Sequence, residues 1–163
     1  SWYILKSTGV DLNLNYPAGW EIAVENKKKM GVNHTGPRDY PGPKPLSEIE
    51  TINMVNFTNK EQLDMTISLH SQGEEIYGPN KEEDIKSYQI GKEFEKVSGY
   101  KYTSPAYTSS FAGYKDWFIQ KFRKPSYTIE LGKGEEGKAL SEKQAKKILQ
   151  QIEEIFLKAC EKI

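Results

Sequence analysis

Only one cysteine, Cys160, stands among the 163 residues, so no internal disulfide can form and the fold is not a cystine scaffold. An excess of either charge is also missing: 23 Lys and Arg balance 23 Asp and Glu. Binding a polyanion by bulk electrostatics needs basic residues concentrated on one face, so nucleic acid is not an expected partner. No apolar run approaches the roughly 18 residues needed to span a bilayer, so no membrane span is expected. Histidine is scarce, with only His34 and His70. The chain begins at Ser1 without Met and without the charged and apolar regions of a signal peptide. The expectation is a polypeptide whose leader has been removed or a piece of something longer.

What is present is a polar α/β pattern. Hydrophobic residues make up 36% and charged residues 28% of the chain, and the mean hydropathy is −0.73, so a core is possible but modest. There is no internal repeat and no low-complexity tract. Short apolar runs alternate with longer amphipathic stretches, which suggests α/β. Ala145, Ile148, Leu149, Ile152, Ile155, Phe156 and Ala159 recur at helical spacing and predict a helix over 141–162, opened by Ser141. Ser47 and Glu50 form a capping-box pattern and predict a helix from near Pro45 to near Asn59. Ile85, Tyr88, Ile90 and Phe94 predict a third over 81–97, closed by Gly99, and 114–122 reads as a short helix. Strands are expected at 65–70 and 127–131, with a weaker one ending over 10–14. Gly36, Pro37, Pro41, Gly42, Pro43 and Pro45 make 33–45 a surface loop, and 104–113 reads as an irregular, lid-like stretch.

Two polar residues stand at strand ends, where ligand crevices of α/β folds open. His70 follows Ser68 and Leu69, and Glu130 sits between Ile129 and Leu131. Each taken alone reads most simply as a hydrogen-bonded histidine and a paired strand carboxylate. Together they are what hydrolytic metal chemistry needs, because imidazole binds zinc and a nearby carboxylate can deprotonate its water. His34, in the Pro/Gly loop, reads as solvated or capping.

Five segments, in order, carry a resemblance: Gly9-Val-Asp-Leu-Asn-Leu-Asn-Tyr-Pro17, Pro45-Leu-Ser-Glu-Ile-Glu-Thr51, Ser68-Leu-His-Ser-Gln-Gly73, Ala112-Gly-Tyr-Lys-Asp-Trp-Phe118 and Tyr127-Thr-Ile-Glu-Leu-Gly132. The chain resembles zinc metallocarboxypeptidases of the carboxypeptidase A/T type over nearly its whole length. It is most similar to the bacterial branch that includes γ-D-glutamyl-meso-diaminopimelate peptidases. The resemblance implies residues 1–163 as the C-terminal half of one zinc-peptidase domain, a partial mixed sheet flanked by helices. It implies a single zinc ion, with His70 as its third ligand, and Glu130 as the general base that activates the zinc-bound water and protonates the leaving amine. Asn13 would hold the substrate's distal end, and Tyr107, with Tyr114 as its rival, would close over substrate. Asp116 and Trp117 would support that lid.

Two departures bear on activity. The family's first two zinc ligands lie in a His-x-x-Glu motif, and neither His34 nor His70 begins one; an upstream oxyanion-stabilising arginine is also absent. A site with one protein ligand holds zinc weakly, so this chain alone is expected to be inactive. The second departure is Leu14, where the family carries an arginine for the substrate's terminal carboxylate. Its loss tilts the reading toward an endopeptidase acting on peptidoglycan stem peptides, with Arg38 or Lys115 as a replacement cation. The alternatives are a non-catalytic muropeptide-binding module and a carboxypeptidase trimming protein C-termini. Such a substrate implies a bacterial, extracellular or wall-associated setting rather than the cytoplasm. An incomplete sheet would expose strand edges, and a homodimer could cover them.

Overall fold

The structure is a computed structural model and describes residues 9–107, 110–133 and 139–162. Its helices are α1 (Trp20–Lys29), α2 (Ile49–Lys60), α3 (Ile85–Ser98), α4 (Tyr114–Phe122) and α5 (Glu142–Cys160), and its strands are β1 (Thr66–His70), β2 (Glu75–Tyr77), β3 (Lys101–Thr103) and β4 (Ser126–Glu130). The chain folds as two units, Ser1–Leu63 with Pro105–Arg123 and Asp64–Ser104 with Lys124–Ile163.

The sheet belongs to the second unit, in the order β1-β4-β2-β3. β1 and β4 run parallel, β2 is antiparallel to β4, and β3 is parallel to β2. Cross-strand partners share a face, so the register sorts the side chains by polarity. One face carries Thr66 and Ser126, then Ser68, Thr128 and Tyr77, then His70, Glu130 and Glu75. The opposite face carries Ile67, Tyr127, Leu69, Ile129 and Ile76. Ile76, Tyr127 and Ile129 form a buried cluster with Ile90 and Phe94 of α3 and Ile155 and Ala159 of α5. Phe94 meets Tyr127 edge to face at 5.0 Å, and the Tyr127 hydroxyl donates to the Ser87 carbonyl at 2.7 Å.

Local chemistry sets the helix boundaries. Asp84 caps α3 by accepting from the Lys86 and Ser87 N–H groups, and Gly99 closes it in the left-handed conformation. The helix therefore starts at Ile85 rather than Lys81, because the Asn80 side chain turns the backbone at Glu82 and Glu83. Ser141 and Gln144 form a reciprocal capping box at the start of α5. α2 starts from Glu48, not Ser47, since the Ser47 hydroxyl is taken up by Asn15 and Glu48.

The first unit is helical, built on Tyr16, Ala18, Val55, Trp117 and Phe118, with Tyr114 and Phe122 packed against them. Its segment 10–14, expected as a strand, is a 3-10 turn over Leu12–Leu14. The Asp11 side chain accepts from Asn13 N, and such local bonding competes with a sheet ladder.

Candidate functional site

The sequence-predicted residues fall into two groups, one on each unit. In the second unit, the parallel β1–β4 ladder pairs His70 with Glu130, and the antiparallel β4–β2 ladder pairs Glu130 with Glu75. Imidazole and two carboxylates therefore stand in adjacent strands at one end of the polar sheet face. The connection after β1 passes a cis Ser71–Gln72 peptide and is tied to the end of β4 by Gly73 N donating to Gly132 O at 2.9 Å. A Cβ on Gly73 would lie 3.2 Å from the Glu130 Cβ and 3.7 Å from the Glu75 Cγ. That spacing explains the bare backbone between the two carboxylates.

Glu130 is half-buried. Burial first, and the charge of Glu75 second, push its carboxyl above the usual carboxylate range. Tyr77 donates to Glu75 Oε2 at 2.5 Å. Burial, that hydrogen bond and the charges of Glu75 and Glu130 raise the Tyr77 phenol well above its ordinary value. A carboxyl raised above its ordinary value is shifted in the direction that favours a general base.

Zinc needs three or four protein ligands for tight binding. Among the described residues no group of three His, Cys, Asp or Glu side chains is arranged to hold a metal ion. His70 does not stand in such a group, and the described residues do not by themselves fit a zinc centre. His34 is exposed, with Nδ1 2.9 Å from the Thr35 carbonyl oxygen.

In the first unit, Asn13 is exposed on the 3-10 turn while Leu14 is buried, at 7% exposure. The turn is clamped on both sides. Asp11 Oδ1 accepts from Asn13 N at 3.2 Å and its Oδ2 from Asp39 N at 2.8 Å. The fully buried Asn15 carboxamide donates to Pro41 O, Lys44 O and Ser47 Oγ and accepts from Glu48 N and Thr51 Oγ1. A Cβ on Gly42, at φ +89°, would lie 2.8 Å from the Asn15 Nδ2. The side chain of Arg38 is 82% exposed, with its Nε 3.2 Å from Asp39 Oδ2.

Tyr107 is 67% exposed and meets Phe111 edge to face at 5.0 Å. Tyr114 is built into the unit: its hydroxyl lies 2.9 Å from Thr58 Oγ1 and its ring 5.4 Å from that of Tyr16. Asp116 accepts from Gly113 N at the start of α4 and pairs with Lys115, and Trp117 is buried. Reading the sequence missed Glu75, Asn15 and the Asp11–Asp39 link. Asn15 stands inside a quoted motif, but its partners lie 26 to 36 residues away, and nothing in the local pattern announces them.

The family model described as zinc carboxypeptidase, Peptidase_M14, matches residues 5–156. The γ-D-glutamyl-L-diamino acid endopeptidase 1 of Lysinibacillus sphaericus is 42% identical over 135 residues, covering 82% of this chain and 33% of that protein. The uncharacterized protein YqgT of Bacillus subtilis (strain 168) is 43% identical over 130 residues, covering 78% of this chain and again 33% of its own length. The chain thus spans about a third of the curated relatives it matches. In structure it is similar to bovine thrombin-activatable fibrinolysis inhibitor in complex with tick carboxypeptidase inhibitor, with a TM-score of 0.66, 21% identity, and coverage of 97% of this chain and 58% of that one. A second structure of thrombin-activatable fibrinolysis inhibitor matches with a TM-score of 0.64, at 21% identity over 97% of this chain and 43% of that one. At that identity the likeness establishes the fold, which is carboxypeptidase-like. With that family model matched across residues 5–156, the chain belongs to the zinc carboxypeptidase family.

Proposed function

We propose that the chain is the base-carrying part of a peptidase that hydrolyses the amide between a γ-D-glutamyl residue and a diamino acid in peptidoglycan stem peptides. The observation that carries this reading is the register that sets Glu130 beside His70 at one end of a polar sheet face, in a chain 42% identical to an endopeptidase named for that bond.

In this reading Glu130 takes the proton of the attacking water and returns it to the leaving amine, and burial keeps its basicity matched to that exchange. His70 supplies one ligand to the family's zinc, a Lewis acid that polarises the scissile carbonyl when its full ligand set is present. Asn13 hydrogen-bonds the substrate, Tyr107 closes over it, and Leu14 stands where no terminal carboxylate is paired. In this reading the chain needs the family's further zinc ligands beside His70 before it turns substrate over.

Amide hydrolysis by a longer polypeptide that adds a His-x-x-Glu segment ahead of residue 1 is the test. Glu130→Gln is expected to remove turnover while leaving peptide binding in place. A second reading, a non-catalytic peptide-binding module, is favoured by the missing ligand group, and it predicts no turnover in the longer polypeptide. Equal cleavage of a peptide and its C-terminally amidated form separates the endopeptidase reading from a C-terminal exopeptidase.

A further inference from the structure

The ends of β1 and β4, where His70 and Glu130 stand, are joined by the backbone that follows each strand. Leu131 N donates to the His70 carbonyl at 2.8 Å, and Gly73 N donates to the Gly132 carbonyl at 2.9 Å. The position of Gly132 therefore bears on both strand ends. Gly132 is buried at φ +62°, and a Cβ there would lie 2.5 Å from the Ile148 Cδ1 of α5, so glycine suits this left-handed corner against the helix. Its N–H donates to the hydroxyl of Tyr100 at 3.1 Å. Tyr100 is 1% exposed and immediately precedes β3, which β2 separates from β4. Its ring lies in the buried cluster with Ile76 of β2 and Ile129 of β4, so the side chain passes β2 to reach the end of β4. Next to it, Lys101 N donates to the Glu74 carbonyl at 2.9 Å. Residues 100 and 101 thereby hold the turn after β1 and the corner after β4 together. A phenylalanine ring would fill nearly the same core volume; what the hydroxyl adds is an acceptor for a buried N–H, which costs free energy when left unpaired.

We propose that Tyr100 is a positioning residue for amide hydrolysis: through Gly132, its hydroxyl fixes the corner that sets Glu130 beside His70. The inference rests on the peptidase reading and deepens it, since it names a residue outside the five motifs on which the base depends. A general base acts only within hydrogen-bond reach of the proton it takes, and a misplacement of about 1 Å can cost about 100-fold in rate. Tyr100 itself is buried in the core and acts on the reaction only through the strand end it holds.

Amide hydrogen exchange on this chain, together with turnover by the zinc-loaded longer polypeptide that carries a His-x-x-Glu segment, tests this with two variants. Tyr100→Phe is expected to lower the protection of the Gly132 and Gly73 amides about tenfold relative to amides inside β4, the size of one hydrogen bond. In the longer polypeptide it lowers kcat about tenfold and leaves KM in place. Tyr127→Phe is the control: it also removes a buried hydroxyl from this core, one that donates to the Ser87 carbonyl of α3 and not to the corner. It is expected to lower stability while the relative protection of Gly132 and Gly73, and kcat, stay as they were. A merely structural role for Tyr100 would make the two variants behave alike. Unchanged protection of Gly132 in Tyr100→Phe, or an undiminished kcat in that variant, overturns the inference and leaves the peptidase reading intact. Absence of turnover in the unaltered longer polypeptide overturns both.

Discussion

Glu130 is placed by register, and its properties follow from what surrounds it. A carboxylate half-buried and opposed by Glu75 is disfavoured in its charged form. The sign follows: a carboxyl whose folded pKa lies above its unfolded value favours folding when protonated and opposes it once ionised. That contribution is lost as pH rises through the raised folded pKa. Glu130→Gln therefore stabilises the chain at neutral pH, visible as a melting midpoint raised by about 2–4 °C for each kcal/mol relieved. A carbon-detected NMR titration finds Glu130 above the ordinary value near 4.3. In Glu75→Gln it moves down without reaching that value, since burial is the larger cause. An unshifted Glu130 would contradict this description. Asn15→Ala removes five hydrogen bonds of one buried carboxamide, and urea unfolding is expected to show a loss of about 1–3 kcal/mol. His70 and Glu130 were legible in the sequence because an ionisable residue ending an apolar run is conspicuous. Glu75 was not: β2 has three residues, too few for alternation to register.

Elements were readable in proportion to their length and the strength of their caps. α5, with 19 residues and the Ser141–Gln144 box, follows its periodicity. α1, whose sequence ends in three lysines, has little apolar periodicity and was not anticipated. The 10–14 segment was misread because apolar alternation at Val10, Leu12 and Leu14 imitates a strand, while the Asp11 side chain folds it into a turn. Caps also carry stability. Burial works against ionised Asp84, but hydrogen bonds from Ser87 and Lys86 outweigh it and hold the carboxyl below its usual range. A depressed carboxyl contributes stability above its unfolded pKa and loses it as pH falls through the folded one. Asp84→Ala is therefore expected to cost about 1 kcal/mol at neutral pH, and the difference from the unaltered chain should shrink below about pH 4. Phe94→Ala, at the fully buried junction of α3 with Tyr127, is expected to cost about 3–5 kcal/mol in the same unfolding experiment.

At the scale of the whole molecule, family membership and an incomplete metal set stand together. The five motifs made the family visible, since each combines a turn former with a polar residue at a strand end or cap. The same sequence announced the gap, because two histidines without a His-x-x-Glu cannot assemble the family's ligands. Zinc titration of this chain is accordingly expected to give no tight stoichiometric site, and a nanomolar one would refute that. The division into two units puts Asn13 and Arg38 in one and His70 and Glu130 in the other, an arrangement no periodicity reveals. The proposed activity depends on Glu130 acting as the base of an amide hydrolase. Its most direct test is the rate of release of diaminopimelate from an L-alanyl-γ-D-glutamyl-meso-diaminopimelate peptide by the zinc-loaded, His-x-x-Glu-bearing polypeptide. Turnover that falls by about 100- to 10,000-fold in Glu130→Gln, with binding kept, is the result predicted; undiminished turnover in that variant would contradict it.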